Sequence, residues 1–222
     1  MKLIPSFCLF LLLIGALFAC NSTYSHKKKA YFNIELPQHE YRVFDTLGYP
    51  YSFEYPVYAR VVRDSTFFDA KPENDYWVNI DFPKFNARIF LSYKIIGGKV
   101  VFKKQLPNGS FIDSVGINQF DLLVNDAFKL TNKNSEIATS ISDSFITTPN
   151  NINGVFFKVG GNAATAKQFF LSDSVHHFIR GALYFSATPN ADSLKPVHDF
   201  LQKDIFHMIN TFKWNKKDSD KP

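Results

Sequence analysis

Hydrophobic positions along the chain first recur with a period of two. Tyr51, Phe53, Tyr55, Val57, Ala59 and Val61 alternate with Ser52, Glu54, Tyr58 and Arg60, the pattern of a half-buried strand. Pro56 within that run predicts a bulge or an edge position, because proline has no N–H to give to a ladder. Tyr76, Val78, Ile80 and Phe82 then alternate with Trp77, Asn79 and Asp81. After Pro83-Lys84 the same rhythm returns at Ala87, Ile89, Leu91, Tyr93 and Ile95. Two such runs predict an antiparallel hairpin with one buried face.

Gly97-Gly98 and Pro107-Asn108-Gly109 bracket a polar stretch reaching Gly116. It predicts a minor hairpin from Val100 to Ile112 and has the character of an insertion at about 97–116. The period then changes. Ile117, Phe120, Leu123, Val124, Ala127, Phe128 and Thr131 fall on one stripe, with Asp121, Asn125, Asp126 and Lys129 opposite, which predicts an amphipathic helix to about Asn132. Three strand-like segments follow: Gly154 to Val159, Ala166 to Leu171 and Phe178 to Ala187. They are separated by Gly160-Gly161-Asn162 and Ser172-Asp173-Ser174, residues suited to turns. The closing element repeats at three and four through Leu194, Val197, Phe200, Leu201, Ile205, Met208, Ile209 and Phe212, which predicts a second helix. Asp192 or Ser193 would cap it, with Pro196 in the first turn. The order of elements predicts an α+β class, a single domain in which an antiparallel β-sheet carries flanking helices.

The N-terminus changes the picture. Lys2 precedes an apolar run from Phe7 to Phe18, followed by Leu17-Phe18-Ala19-Cys20, which has the layout of a secretory signal ending at a small residue. Counted from Leu3 to Ala19, the stretch a membrane span would need includes Pro5, Ser6 and Gly15, and polar Asn21-Ser22-Thr23 follows it, so a cleaved signal is expected rather than a membrane span. Leu-x-small before cysteine resembles the bacterial lipobox. Cys8 lies in the discarded segment, leaving Cys20 as the mature chain's one cysteine and excluding an internal disulfide. Lipidation of Cys20 with more than one acyl chain would give stable anchoring. The expected division is a signal at 1–19, a lipid-anchored tether at 20–30, one domain at 31–214 and a basic polar tail at 215–222.

The formal net charge is +5, concentrated at Lys27-Lys28-Lys29 and between Lys213 and Lys221. Both clusters are terminal, and no basic stripe interleaved with aromatics suggests nucleic-acid binding. Glycine and polar clusters supply the candidates for chemistry. Gly160, Gly161 and Asn162 permit close backbone approach to a ligand, or simply a tight strand connection. Asp173, Ser174, His176 and His177 share one loop with Arg180 just beyond, which suggests a hydrolase. Triads, however, are usually assembled from residues distant in sequence. Gly160, Gly161, Asn162, Asp173, Ser174, His176 and Arg180 are therefore taken as a candidate binding surface. No residue is assigned a catalytic role, and no metal or cofactor is expected. His198 and His207 share the last helix but face opposite sides, so they do not ligate one metal together.

The ordered motifs resemble the gliding motility lipoproteins of the GldD type, found in gliding Bacteroidetes and their relatives. The likeness runs through Tyr51-Ser-Phe-Glu-Tyr55, Trp77-Val-Asn-Ile-Asp-Phe-Pro83, Lys158-Val-Gly-Gly-Asn-Ala-Ala164 and Phe170-Leu-Ser-Asp-Ser174. It continues through His177-Phe-Ile-Arg-Gly-Ala-Leu-Tyr-Phe185, Pro189-Asn-Ala-Asp-Ser193, Asp204-Ile-Phe-His207 and Lys213-Trp214. It implies a role in gliding and the associated type IX secretion system, partners among other envelope proteins, and no catalytic activity. The segment at about 97–116 looks longer than the family pattern. The closing strand-strand-helix order also resembles the α/β/α sandwich of Mog1 and PsbP-type domains. Asn21 and the lack of acidic residues after Cys20 do not match surface export in the Bacteroidetes manner, so a periplasm-facing anchor is expected, on either membrane. The alternative from another class is an envelope hydrolase or ligand-binding protein around Gly160–Asn162 and Asp173–His176. It requires those residues to line one concavity.

Overall fold

The computed structural model describes residues 34–64, 72–133, 135–186 and 191–215, with the side chains of all but 191 and 192. The predicted signal, Cys20, the tether and most of the basic tail lie outside these residues. Seven strands form the main sheet, in the order β3-β4-β5-β11-β10-β9-β8, with every neighbour antiparallel. They are β3 (Arg60–Arg63), β4 (Val78–Phe82), β5 (Ala87–Ile95), β8 (Ala138–Thr147), β9 (Asn153–Gly161), β10 (Lys167–Ser172) and β11 (His177–Phe185). A smaller sheet, β1-β2-β12, comprises β1 (Tyr41–Phe44), β2 (Tyr51–Pro56) and β12 (Lys213–Trp214). Strands β6 (Lys99–Gln105) and β7 (Phe111–Ile117) pair with each other and, among the described residues, with no other strand. Among the described residues the α-helices are α1 (Phe120–Asn132) and α2 (Ala191–Thr211). The class is α+β, as the sequence predicts.

Strand alternation puts the two helices on opposite faces of the main sheet. Val155, Phe157, Phe170 and Phe178 lie on one face, buried with Leu123 and Ala127 of α1. Their neighbour Phe156 points the other way and meets Phe206 of α2, with ring centroids 4.6 Å apart. That second face is apolar along its length, through Ile80, Phe82, Ile89, Leu91, Leu171, Ile179 and Leu183. Here α2 and the small sheet complete the core, where Phe212 stacks on Tyr51 and Phe53. Each buried large apolar side chain contributes about 1.5–3 kcal/mol.

α1 forms where the sequence changes period. Asp121 in its first turn and Lys129 in its last suit the helix dipole. It starts at Phe120, and Ile117, read as the first residue of its stripe, is instead an exposed residue of β7. The alternating run from Tyr51 to Val61 also divides. Beyond Pro56 a turn at Val57–Ala59 ends β2, and the chain crosses into the main sheet as β3. α2 begins at Ala191, so Pro196 sits inside the helix rather than in its first turn, and the side chain of Asp192 lies outside the described residues.

The minor hairpin is longer than expected, running Lys99 to Ile117 in full register. Its turn is set by Gly109 at φ +83° and by Asn108, whose Oδ1 accepts from the Ser110 N–H at 3.0 Å and hydroxyl at 2.7 Å. At its base, Gly97 donates to the Asn118 carbonyl at 2.8 Å and Asn118 donates back to that of Gly98 at 2.9 Å.

Candidate functional site

The residues singled out from sequence fall into three places. Gly160 and Gly161 close β9 against the edge strand β8. A Cβ on Gly160 would lie 2.5 Å from the Ser140 hydroxyl oxygen, and Gly161 sits at φ +85° with the Thr139 nitrogen 2.8 Å from such a Cβ. These glycines are explained by a bulged strand pairing. Asn162 is exposed in the β9–β10 connection.

Asp173, Ser174 and His176 lie at the other end of β10, in the turn before β11. The strand between the two loops, Lys167–Ser172, spans about 20 Å at ~3.3 Å per residue. One Asp173 oxygen accepts from the backbone N–H groups of Val175, His176 and His177 at 3.0, 2.8 and 2.8 Å. Burial works to raise the Asp173 pKa, but those three donors and nearby His177 outweigh it and hold the carboxyl below its usual range. Ser174 takes φ +63° and donates its N–H to the Ser172 hydroxyl oxygen at 2.9 Å. His177 is engaged elsewhere: its Nδ1 is 2.6 Å from the Tyr93 hydroxyl and its ring stacks on Trp214 at 4.9 Å. The two loops therefore do not share one concavity, which removes the geometric support that the hydrolase alternative requires.

Arg180 occupies a third environment. In β11 the even positions Phe178, Arg180 and Tyr184 point to the α1 face, away from His177. There Arg180 borders a cavity of about 520 Å³ between α1 and the middle of the sheet. Its guanidinium donates to the Gln168 side-chain oxygen. Gln168, buried at 1% exposure, is oriented in turn by donating to the Thr165 hydroxyl oxygen at 2.7 Å. A second cavity, of about 540 Å³, lies on the other flank of α1 and includes Ser174 in its lining. Arg180 and Ser174 thus belong to opposite sides of the helix.

A fourth cluster is not anticipated from sequence. Asp204 of α2, 2% exposed, accepts from His39 Nδ1 at 2.7 Å, from the Tyr41 hydroxyl at 3.0 Å and from the Tyr58 hydroxyl. Burial first, then the Asp204 hydrogen bond and charge, push both tyrosine pKa values well above their usual range. Tyr41 also stacks on His207 at 3.5 Å, and His207 Nε2 is 2.6 Å from Glu54. The signal was present: Asp204 interrupts the apolar stripe of Phe200, Leu201, Ile205 and Met208, where an exposed carboxylate has no place. The cluster fastens the incoming chain, residues 39 to 41, onto the last helix.

The model of the gliding motility lipoprotein GldD family matches residues 21–214. The chain belongs to this family. As a GldD-family lipoprotein it is a protein of the cell envelope connected with gliding motility. A search of curated proteins finds no match. Among solved structures, cyanobacterial PsbP from Synechocystis sp. is similar at 11% identity and a TM-score of 0.41, covering 81% of this chain and 95% of that one. A likeness at that level carries no functional argument. Among the described residues no group of three or more histidine, cysteine or acidic side chains is placed to hold a metal, and no helix is long and apolar enough to cross a membrane.

Proposed function

We propose that this GldD-family protein is a non-enzymatic accessory of the gliding and type IX secretion machinery, held by acylated Cys20 on the periplasm-facing side of an envelope membrane. In this reading it acts by docking onto other envelope proteins. The observation that carries the docking reading is the hairpin β6–β7. Val101, Phe111 and Val115 on it are 65%, 61% and 67% exposed. They share one face of the ribbon, in which Val101 opposes Val115 and Gln105 opposes Phe111. A two-stranded ribbon is marginal in water by itself, and exposed apolar side chains that share one face, here at both ends of the ribbon with polar residues between them, suit an interaction surface. Lys103 and Asp113 pair across the same face at 2.6 Å, adding a polar contact point. Polar Ser114 and Lys104 share the reverse face with Phe102 and Ile112.

The test is site-specific photocrosslinking in gliding cells, with the reactive residue at position 101 or 115 and a control on exposed Asp143 of β8. Discrete adducts with envelope proteins from the hairpin alone support docking there. Equal labelling from the control position, or none from the hairpin, contradicts it. Cys20→Ala is expected to release a folded domain from the membrane and abolish gliding; full gliding by the released protein removes the anchoring requirement.

A further inference from the structure

The cavity beside α1 combines features that the docking reading does not use. Its floor is the middle of the main sheet, where Arg180 stands opposite Ser92 of β5 in register. Arg180 is partly buried, and its charge is met by an amide oxygen rather than an acid. Among the described residues no carboxylate reaches salt-bridge distance of it. Burial lowers the Arg180 pKa, with Tyr184 acting in the other direction, yet a guanidinium remains charged. Lys94, on the same wall, is neutralised by Glu73, which also accepts from Asn118 at 2.5 Å. Lys133 adds a cation at the C-terminal end of α1, and Asp126 on the exposed side of that helix is the one acidic residue in the lining. The rest of the lining is mostly apolar or aromatic, chiefly Leu123, Ala127, Leu130, Phe178 and Trp77, with Ser92, Thr165 and Tyr184 adding hydroxyls.

We propose that this cavity binds a small amphipathic carboxylate, its head paired with the Arg180 guanidinium and its apolar body held between Leu123, Leu130, Phe178 and Trp77. The Gln168 bond engages one edge of the guanidinium and leaves further N–H donors for a planar, bidentate acceptor, which a carboxylate matches. The chain Thr165–Gln168–Arg180 fixes the donor before the ligand arrives, so little ordering opposes binding. The volume lies within the range of small-molecule sites. The lining explains why the ligand is amphipathic: a free inorganic anion would leave the apolar walls uncovered, and a neutral hydrocarbon would leave the guanidinium without a counter-charge.

The experiment is calorimetric titration of the full-length acylated protein in nanodiscs, with empty nanodiscs as the blank. Phenylbutyrate is the probe, its neutral amide and a chain-matched phosphonate the comparators. Saturable phenylbutyrate binding is expected, with the amide weaker by roughly tenfold or more. Arg180→Gln should weaken the carboxylate by a similar factor while leaving the amide unchanged. Leu130→Trp, at a position 39% exposed, should fill the cavity and weaken both without disturbing the core. Asp126→Asn should tighten carboxylate binding by removing the acidic residue on the wall. Equal affinity for acid and amide, undiminished binding to a folded Arg180→Gln variant, or no saturable heat with folded protein each overturns the proposal. Tighter binding of the phosphonate overturns the choice of head group.

Discussion

Removing the carboxylate of Asp204 should loosen the start of the domain before it unfolds the rest. Asp204→Ala deletes the shared acceptor of His39, Tyr41 and Tyr58. Hydrogen bonds to a buried charged group contribute about 1.5–3 kcal/mol each. His39 keeps 29% of its side chain exposed, so water recovers part of its bond. Deleting the charge also removes its own desolvation penalty. The net loss is therefore expected near 3–4 kcal/mol, a fall in Tm of roughly 10 °C for a domain of this size. Asp204→Asn retains an acceptor for His39 and Tyr41 and should lose about half as much. The assay is thermal and denaturant unfolding of the full chain, with hydrogen exchange across β1. In a double-mutant cycle, Tyr58→Phe should couple to Asp204→Ala by about 1 kcal/mol or more. A loss below about 1 kcal/mol, or β1 exchange unchanged in Asp204→Ala, would refute the claim that this cluster fastens the incoming chain.

Two further predictions concern pH and the β10–β11 turn. His198 is pushed down to about 4 from 6.5, by burial first and then by Lys167, and among the described residues its Nδ1 has no hydrogen-bond partner. The unfolded state therefore binds the extra proton first, so stability falls as pH drops from about 6.5 to about 4 and is complete above that window. Allowing for its partial solvent access, the loss should approach about 2 kcal/mol; a His198→Gln chain should show a flatter profile, and an unchanged profile would contradict the assignment. Asp173, whose folded pKa is depressed, acts only below the ordinary carboxylate range, its contribution being present above about pH 4 and lost as pH falls through the lower folded value. Asp173→Ala should cost about 1–3 kcal/mol at neutral pH, and denaturant midpoints that match the unsubstituted chain would count against the turn's three-donor arrangement.

The elements that face a core on one side were legible, because burial imprints a period on them. β5 and the stripe of α1 carry it, and β4 shows it in its apolar–polar sequence; β9 to β11, buried on both faces, are legible instead as short apolar runs bounded by turn residues. β8 leaves no such record, since its ten residues from Ala138 to Thr147 are mostly exposed, with partly buried positions at no regular spacing, and among the described residues pair along one edge. With no face buried, nothing in its side chains records the pairing. β1 and β12 are too short to show a period. The run at Tyr51–Val61 misled because β2 and β3 both alternate, and proline marks the change of sheet without stating it. At the candidate site, Arg180 was named for its closeness in sequence to His176 and His177. Three residues of strand turn it to the opposite face, where Gln168 and Leu130, unremarked in sequence, become its neighbours. Such convergence depends on register and helix placement, which no local pattern encodes.

The central claim is that an anchored domain works through the face of β6–β7. Gliding by cells whose sole copy carries Val101→Thr, Phe111→Thr and Val115→Thr tests it most directly. These side chains are exposed and, among the described residues, the hairpin pairs with no other strand, so the variant should fold, unfold within about 0.5 kcal/mol of the unsubstituted chain per site and remain in the membrane fraction. Loss of gliding by that folded, membrane-bound variant is the predicted result; gliding at the unsubstituted speed would contradict the account.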